Sequence, residues 1–100
     1  MPAYLIVIRN GPIQDQDAYN TYVQMNQANP PRAVIKPLVA YGAVTALEGT
    51  PPDGVVMLEF DNVEAARAWY DSPEYQAAVG HRIRCGDWSA FIVDGAMNLP

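Results

Sequence analysis

The chain opens on five β-favouring residues, Tyr4-Leu-Ile-Val-Ile8, apolar at every position. Such a run reads as a strand buried on both faces, and Asn10-Gly11-Pro12 ends it. The period then lengthens. Asp15 suits an N-cap, and Asp17 in the first turn complements the helix dipole. At about 100° per residue, Ala18, Tyr19, Tyr22, Val23 and Asn26 gather on one face and Asp17, Asn20, Thr21 and Gln24 on the other. This predicts an amphipathic helix to about Asn29, broken by Pro30-Pro31. Between Arg32 and Tyr41 the residues Val34, Ile35, Leu38 and Val39 recur at helical spacing, while Pro37 fits only near a helix start. A broken or second short helix is expected there, with Gly42 as its stop.

Ala43 to Leu47 reads as a strand, and Gly49-Thr-Pro-Pro-Asp-Gly54 as a turn-rich connection to a clear strand at Val55 to Phe60, together a β-hairpin. Asp61 and Asn62 both suit a cap, and Asp61-x-x-Glu64 has the form of a capping box. Val63, Ala66, Arg67 and Tyr70 form the stripe of the following helix. Ser72-Pro73 restarts it, with Ser as cap and Pro at the first position. Tyr75, Val79 and Ile83 form the stripe of the second piece, which Gly86 closes. Trp88 to Val93 is the last strand, ended by Asp94-Gly95, and the tail to Pro100 is loose or lies on a partner. The order of elements predicts one domain over residues 1–100. Its fold class is α+β, ferredoxin-like βαββαβ, a four-stranded antiparallel sheet with helices on one face. Tyr4–Ile8 and Val55–Leu58 are apolar at successive positions, so the other face needs cover, and a partner's sheet is the simplest cover.

Composition narrows the function classes. At 100 residues, half of them hydrophobic, the chain has the size of one ordinary domain with a real core. A net charge of −5 with no basic stripe argues against nucleic acid and against anionic membranes. No apolar run approaches the roughly 20 residues of a membrane span, and no signal peptide is visible, so a cytoplasmic protein is expected. Cys85 is the single cysteine, which excludes an internal disulfide and C-x-x-C motifs. With one His and one Cys a structural zinc site is not expected, and neither a phosphate loop nor a nucleophile elbow is present. No metal or other cofactor is expected.

The stretch Glu64-Ala-Ala-Arg-Ala-Trp-Tyr-Asp-Ser-Pro-Glu-Tyr-Gln76 resembles the family known as domain of unknown function 1330. So do Ala3-Tyr-Leu-Ile-Val7, Asp17-Ala-Tyr-x-x-Tyr22, Tyr41-Gly42, Leu58-Glu-Phe60 and Phe91-Ile-Val-Asp-Gly95. The resemblance implies a dimeric α/β barrel, two four-stranded sheets packed face to face. The wider superfamily holds cofactor-free monooxygenases, haem-degrading enzymes, small cyclases and stress-response proteins, with the ligand between sheet and helices of one subunit. Relatives usually read Tyr-Gly-Gly-Arg where this chain has Tyr41-Gly42-Ala43-Val44, so a basic group on the second strand is missing.

Two residues are candidates for acid–base chemistry. His81 is the only histidine, the residue type to which proton transfer at neutral pH looks first. It falls about 140° from the Tyr75–Val79–Ile83 stripe, which turns it to solvent if the helix runs through Gly80. Glu59 interrupts an apolar strand on the side of Val55 and Met57 and is either paired with an arginine or a buried acid or base. Tyr19, Tyr22, Asn26, Arg67, Trp69 and Tyr70 are the candidate ligand-binding residues: the aromatics as pocket walls or core, Asn26 towards a ligand carbonyl or hydroxyl or towards a backbone group at the helix end, Arg67 towards an anion, or snorkelling or paired with Glu64 or Asp71. One functional expectation is a homodimeric small-molecule-binding protein acting without cofactor on a small apolar or aromatic compound. Its chemistry would be proton transfer of isomerase, cyclase or lyase type, with cofactor-free oxygenation as a variant. The alternative is a binding or stress-response module without turnover. An open cavity holding an unpaired carboxylate favours the enzyme; a filled interior with Glu59 paired favours the module.

Overall fold

The computed structural model describes residues 1–28 and 35–97. Strand β1 (Ala3–Arg9) is followed by α1 (Gln16–Ala28), β2 (Lys36–Ala40), β3 (Gly54–Phe60), α2 (Val63–Tyr70), α3 (Pro73–Arg84) and β4 (Trp88–Asp94). The sheet runs in the order β2-β3-β1-β4, and every pairing is antiparallel. This is the ferredoxin-like α+β arrangement.

The register sorts side chains between two faces. Leu5 stands opposite Leu58 and Ile92, and Val7 opposite Val56 and Ala90. Leu5 and Val7 are buried with Phe60 and Ala66, so these residues line the face that α2 covers. The alternate residues form rows across the opposite face. One row runs Val39–Met57–Ile6–Phe91 through all four strands; another runs Lys36–Glu59–Tyr4–Val93. Phe91 and Val93 are exposed there and Ile6 and Met57 only half-buried. Among the described residues no helix covers this face, which carries a four-strand apolar row beside the Lys36–Glu59 pair.

Local chemistry sets the helix starts. Asp15 accepts from the Ala18 amide at 3.0 Å, Asn62 from Ala65 at 2.8 Å, and Ser72 from Tyr75 at 3.3 Å. Asn62, not Asp61, is the N-cap of α2, so Glu64 misses the third helical position and the capping box does not form. Pro73 opens α3, where its missing N–H costs nothing.

The segment before β3 differs from the sequence expectation. Residues 36–40 are strand, not helix, and Ala43–Leu47 are exposed and outside the sheet, Leu47 at 91% exposure. The expected Pro30-Pro31 break and the first part of the expected short helix lie outside the described residues. Pro37 is compatible with a strand here because β2 is an edge, with a register shift between Pro37 and Val39. The turn after β2 is made by Tyr41 itself, at φ 59°, a left-handed conformation that costs a non-glycine residue about 1 kcal/mol or more. Helix α3 passes through Gly80 unbroken.

Cys85 is fully buried just past α3, where its Sγ donates to the Arg82 carbonyl at 3.0 Å. A serine hydroxyl can make the same bond. Cys85→Ser is therefore expected to fold and to cost about 1 kcal/mol, at the low end for core substitutions, as read by urea unfolding. Loss of the fold would show that the thiol has a role beyond packing.

A candidate ligand-binding cleft

Helix α1 packs against α3, whereas the sheet under β1, β3 and β4 is covered by α2. This offset leaves a cleft of about 1200 Å³ between the inner face of α1, the α2–α3 corner and the β3–β2 side of the sheet. Its floor is Leu5, Val7, Val56 and Leu58. Ala18 alone is buried in α1, while Tyr19, Tyr22, Val23 and Asn26, the face predicted as apolar, line the cleft half-buried. That face is amphipathic for the sake of a cavity more than of a packed core.

Aromatic rings make the walls. Trp69 and Tyr75 lie with ring centroids 4.2 Å apart, and Trp69 meets Phe60 at 5.8 Å. Tyr22 meets Tyr75 edge-on at 6.2 Å, and their hydroxyls are 2.8 Å apart. Tyr19 stacks on Trp88 at 6.5 Å. Tyr41 closes the β2 side. Its ring lies over Gly54, where a Cβ would come within 3.2 Å of Tyr41 Cδ1, so a larger residue at 54 would push the ring away.

Two phenols are strongly perturbed. Burial pushes the Tyr75 hydroxyl well above the ordinary phenol range; the neighbouring Tyr22 adds to this and Arg82 opposes it. Tyr41 is pushed in the same direction, first by desolvation of its hydroxyl end and then by Tyr19. Both are neutral hydrogen-bond donors at pH 7.

The expected site residues divide between the cleft and other surfaces. Tyr19, Tyr22, Asn26 and Trp69 come together in the cleft. Arg67 and Tyr70 border a separate shallow depression beside Phe91 and Ile92. Arg67 is exposed and binds Asp71 at 2.8 Å, so it is not poised over the cleft. His81 lies on α3 away from the cleft and takes a 2.6 Å contact at Nδ1 from Arg84. Glu59 lies on the uncovered sheet face, with Lys36 directly across in register rather than an arginine. Neither expected base reaches the cleft.

Arg82 was not among the expected site residues. It is 3% exposed, borders the cleft, and lies 5.4 Å over the Trp88 ring. Its Nε is buried without an acceptor, and among the described residues no carboxylate pairs with it. The signal was present in the spacing: Tyr75, Ala78, Val79 and Arg82 stand at i, i+3, i+4 and i+7, and these four are the buried residues of α3. Ile83, expected on that stripe, is 58% exposed.

Among the described residues no group of three His, Cys, Asp or Glu side chains is placed to hold a metal ion, and no helix is long and apolar enough to cross a membrane. The fold and the cleft define a ferredoxin-like α+β domain with an aromatic-walled cavity between sheet and helices. The chain belongs to the family described as Domain of unknown function (DUF1330), whose model matches residues 2–96. The methylated RPA0582 protein, from Rhodopseudomonas palustris, is similar at 18% identity and a TM-score of 0.67, covering 96% of this chain and 82% of that one. An ethyl tert-butyl ether d (EthD) family protein from Bacillus halodurans has 16% identity and a TM-score of 0.63, covering 96% and 100%. A dimeric ferredoxin-like protein of unknown function from Thermobifida fusca has 20% identity and a TM-score of 0.56, covering 94% and 91%. At these identities the likeness is one of fold. No curated protein matches the chain.

Proposed function

We propose that this protein binds a small, planar, largely apolar molecule in the cleft between α1 and the sheet. The observation that carries the reading is the cleft itself: about 1200 Å³, floored by aliphatic residues and walled by Tyr19, Tyr22, Trp69 and Tyr75. Apolar cavities with a few convergent polar groups are the usual form of a small-molecule site. The phenols supply those groups. Tyrosines that stay protonated donate to a carbonyl or enolate oxygen; they do not abstract protons. The cleft's own residues therefore suit polarisation of a ligand oxygen, with a chemical step of isomerase or cyclase type confined to substrates whose proton is already acidic. The strained Tyr41 agrees with a site role, since such strain persists where the surrounding structure holds a residue for a purpose.

The protein acts as a homodimer in this reading, joined through the uncovered apolar sheet face. The Thermobifida fusca relative is described as dimeric. That interface lies on the opposite side of the sheet from the cleft, so each subunit keeps its own site.

Val23 projects from α1 into the cleft, and a tryptophan there would fill it. Titration calorimetry with 2-naphthamide, a neutral planar probe, is expected to show saturable binding to the wild-type chain. Val23→Trp is expected to weaken it by at least about tenfold while leaving the fold intact, through loss of about 1.4 kcal/mol or more of contact. Equal affinity in both proteins would place the probe elsewhere, and a wild type that binds neither this probe nor its carboxylate counterpart 2-naphthoate would overturn the reading.

A further inference from the structure

We infer that Arg82 is an anion anchor within the cleft and that the ligand class is a small aromatic carboxylate. The inference rests on the cleft being a ligand site and adds the charge of its occupant. A guanidinium inside a protein is normally paired, because an isolated buried charge is costly. Arg82 is 3% exposed, yet no carboxylate among the described residues pairs with it. Its contact with Trp88 at 5.4 Å uses the flat face of the guanidinium. A face contact leaves the N–H edges free to bond elsewhere: Nε has no acceptor, and the polar neighbour of the guanidinium is the uncharged Tyr75 hydroxyl, which does not balance its charge.

The surroundings do not supply the missing charge. Glu74 borders the cleft but is exposed and makes no ion pair with Arg82. Tyr75 is held neutral by burial. Arg9 lies 5.8 Å from the same Trp88 ring without lining the cleft, its Nε and one terminal nitrogen donating to the Gly11 and Asp53 carbonyls. The result is a positive end in an otherwise apolar, aromatic-walled space. A carboxylate matches the planar fork of a guanidinium, and an aromatic body matches the rings of Tyr19, Tyr22 and Trp69. A neutral ligand would leave the guanidinium uncompensated.

The test compares two probes of nearly equal shape, 2-naphthoate and 2-naphthamide, by titration calorimetry on the full chain. Naphthoate is expected to bind at least about tenfold more tightly. Arg82→Gln is expected to erase that preference, naphthoate falling to the affinity of naphthamide or below it, and Arg82→Lys to retain part of it. In nitrogen-15 spectra of the wild type, naphthoate is expected to shift the indole N–H of Trp88 more than naphthamide does, a readout that does not depend on any variant folding. If naphthamide binds and naphthoate binds no better, the anchor is refuted and the cleft stands. A preference that survives in Arg82→Gln, or a Trp88 signal that ignores the carboxylate, also refutes the anchor. If neither probe binds, the cleft reading falls and takes the anchor with it.

Discussion

Phe91→Asp is expected to convert a dimer into a monomer. Phe91 is 43% exposed on the uncovered sheet face and ends the row Val39–Met57–Ile6–Phe91. An exposed apolar row spanning four strands on one chain needs cover. The covering surface in a two-fold dimer is the same face of a second copy. An aspartate at 91 would bring a charge into an apolar row, where Phe91 is paired in register with Ile6. Burying an unpaired carboxylate costs about 3–5 kcal/mol, which weakens association by roughly a hundredfold or more. The fold of each subunit should survive, because the Phe91 side chain lies outside the Leu5–Val7–Phe60–Ala66 core. Light scattering at micromolar concentration is expected to give about twice the 11.0 kDa chain mass for the wild type and a single chain mass for the variant. A monomeric wild type, or a variant that stays dimeric, would show that this face is not the interface. Glu59 shares the face, with Lys36 across from it. The same experiment on Glu59→Gln separates a role in assembly from one in chemistry.

Alkaline pH is expected to unfold the protein cooperatively. Tyr75 and Tyr41 both hold their protons more tightly in the folded chain, chiefly through burial. Below about pH 10, the ordinary phenol value, both states keep these protons and the stabilisation is fully present. Above it the unfolded chain releases them and the folded chain does not, so stability falls as pH rises towards the raised folded values. For the buried Tyr75 the loss approaches about 1.4 kcal/mol per pH unit; Tyr41, more exposed, contributes less. Against a total of about 5–15 kcal/mol for a domain, two pH units are a large effect. Urea midpoints are expected to be level between pH 7 and 9 and to drop steeply above 10. Absorbance at 295 nm should show the Tyr75 and Tyr41 phenolates only as unfolding begins. Tyr75→Phe should be less stable at pH 8, since Tyr22 loses its hydroxyl partner, but should show a shallower alkaline decline. Ionisation of Tyr75 at pH 11 in a still-folded protein would contradict the burial of its hydroxyl.

Much of the fold was legible in the sequence because it rests on local pattern. The continuous runs Tyr4–Ile8 and Val55–Phe60, the caps Asp15 and Ser72, and the 3.6-residue period of α1 are properties of neighbours along the chain, and each appears where the pattern puts it. The two-sided apolar strands also announced an uncovered sheet face. The second strand was not legible in this way. Leu38 and Val39 fit a helix period as well as a strand, and Pro37 is forbidden in a central strand but allowed on an edge; only the sheet order makes β2 an edge. For the same reason Ala43–Leu47, β-favouring by composition, stays outside the sheet, because the β3 edge is already paired with Lys36–Ala40.

The site divides along the same line. That Tyr19, Tyr22 and Asn26 share a face follows from helical geometry alone. That this face borders a cavity instead of a packed core depends on α1 leaning on α3 and standing away from the sheet. The spacing of Tyr75, Ala78, Val79 and Arg82 marked one buried face, but residue type pointed to Ile83, since an arginine normally sits in water. Its burial beside Trp88 and Tyr75 is a product of packing between elements distant in sequence. Periodicity states which residues travel together; which of them meet a cavity, a partner sheet or solvent is decided by how the elements pack.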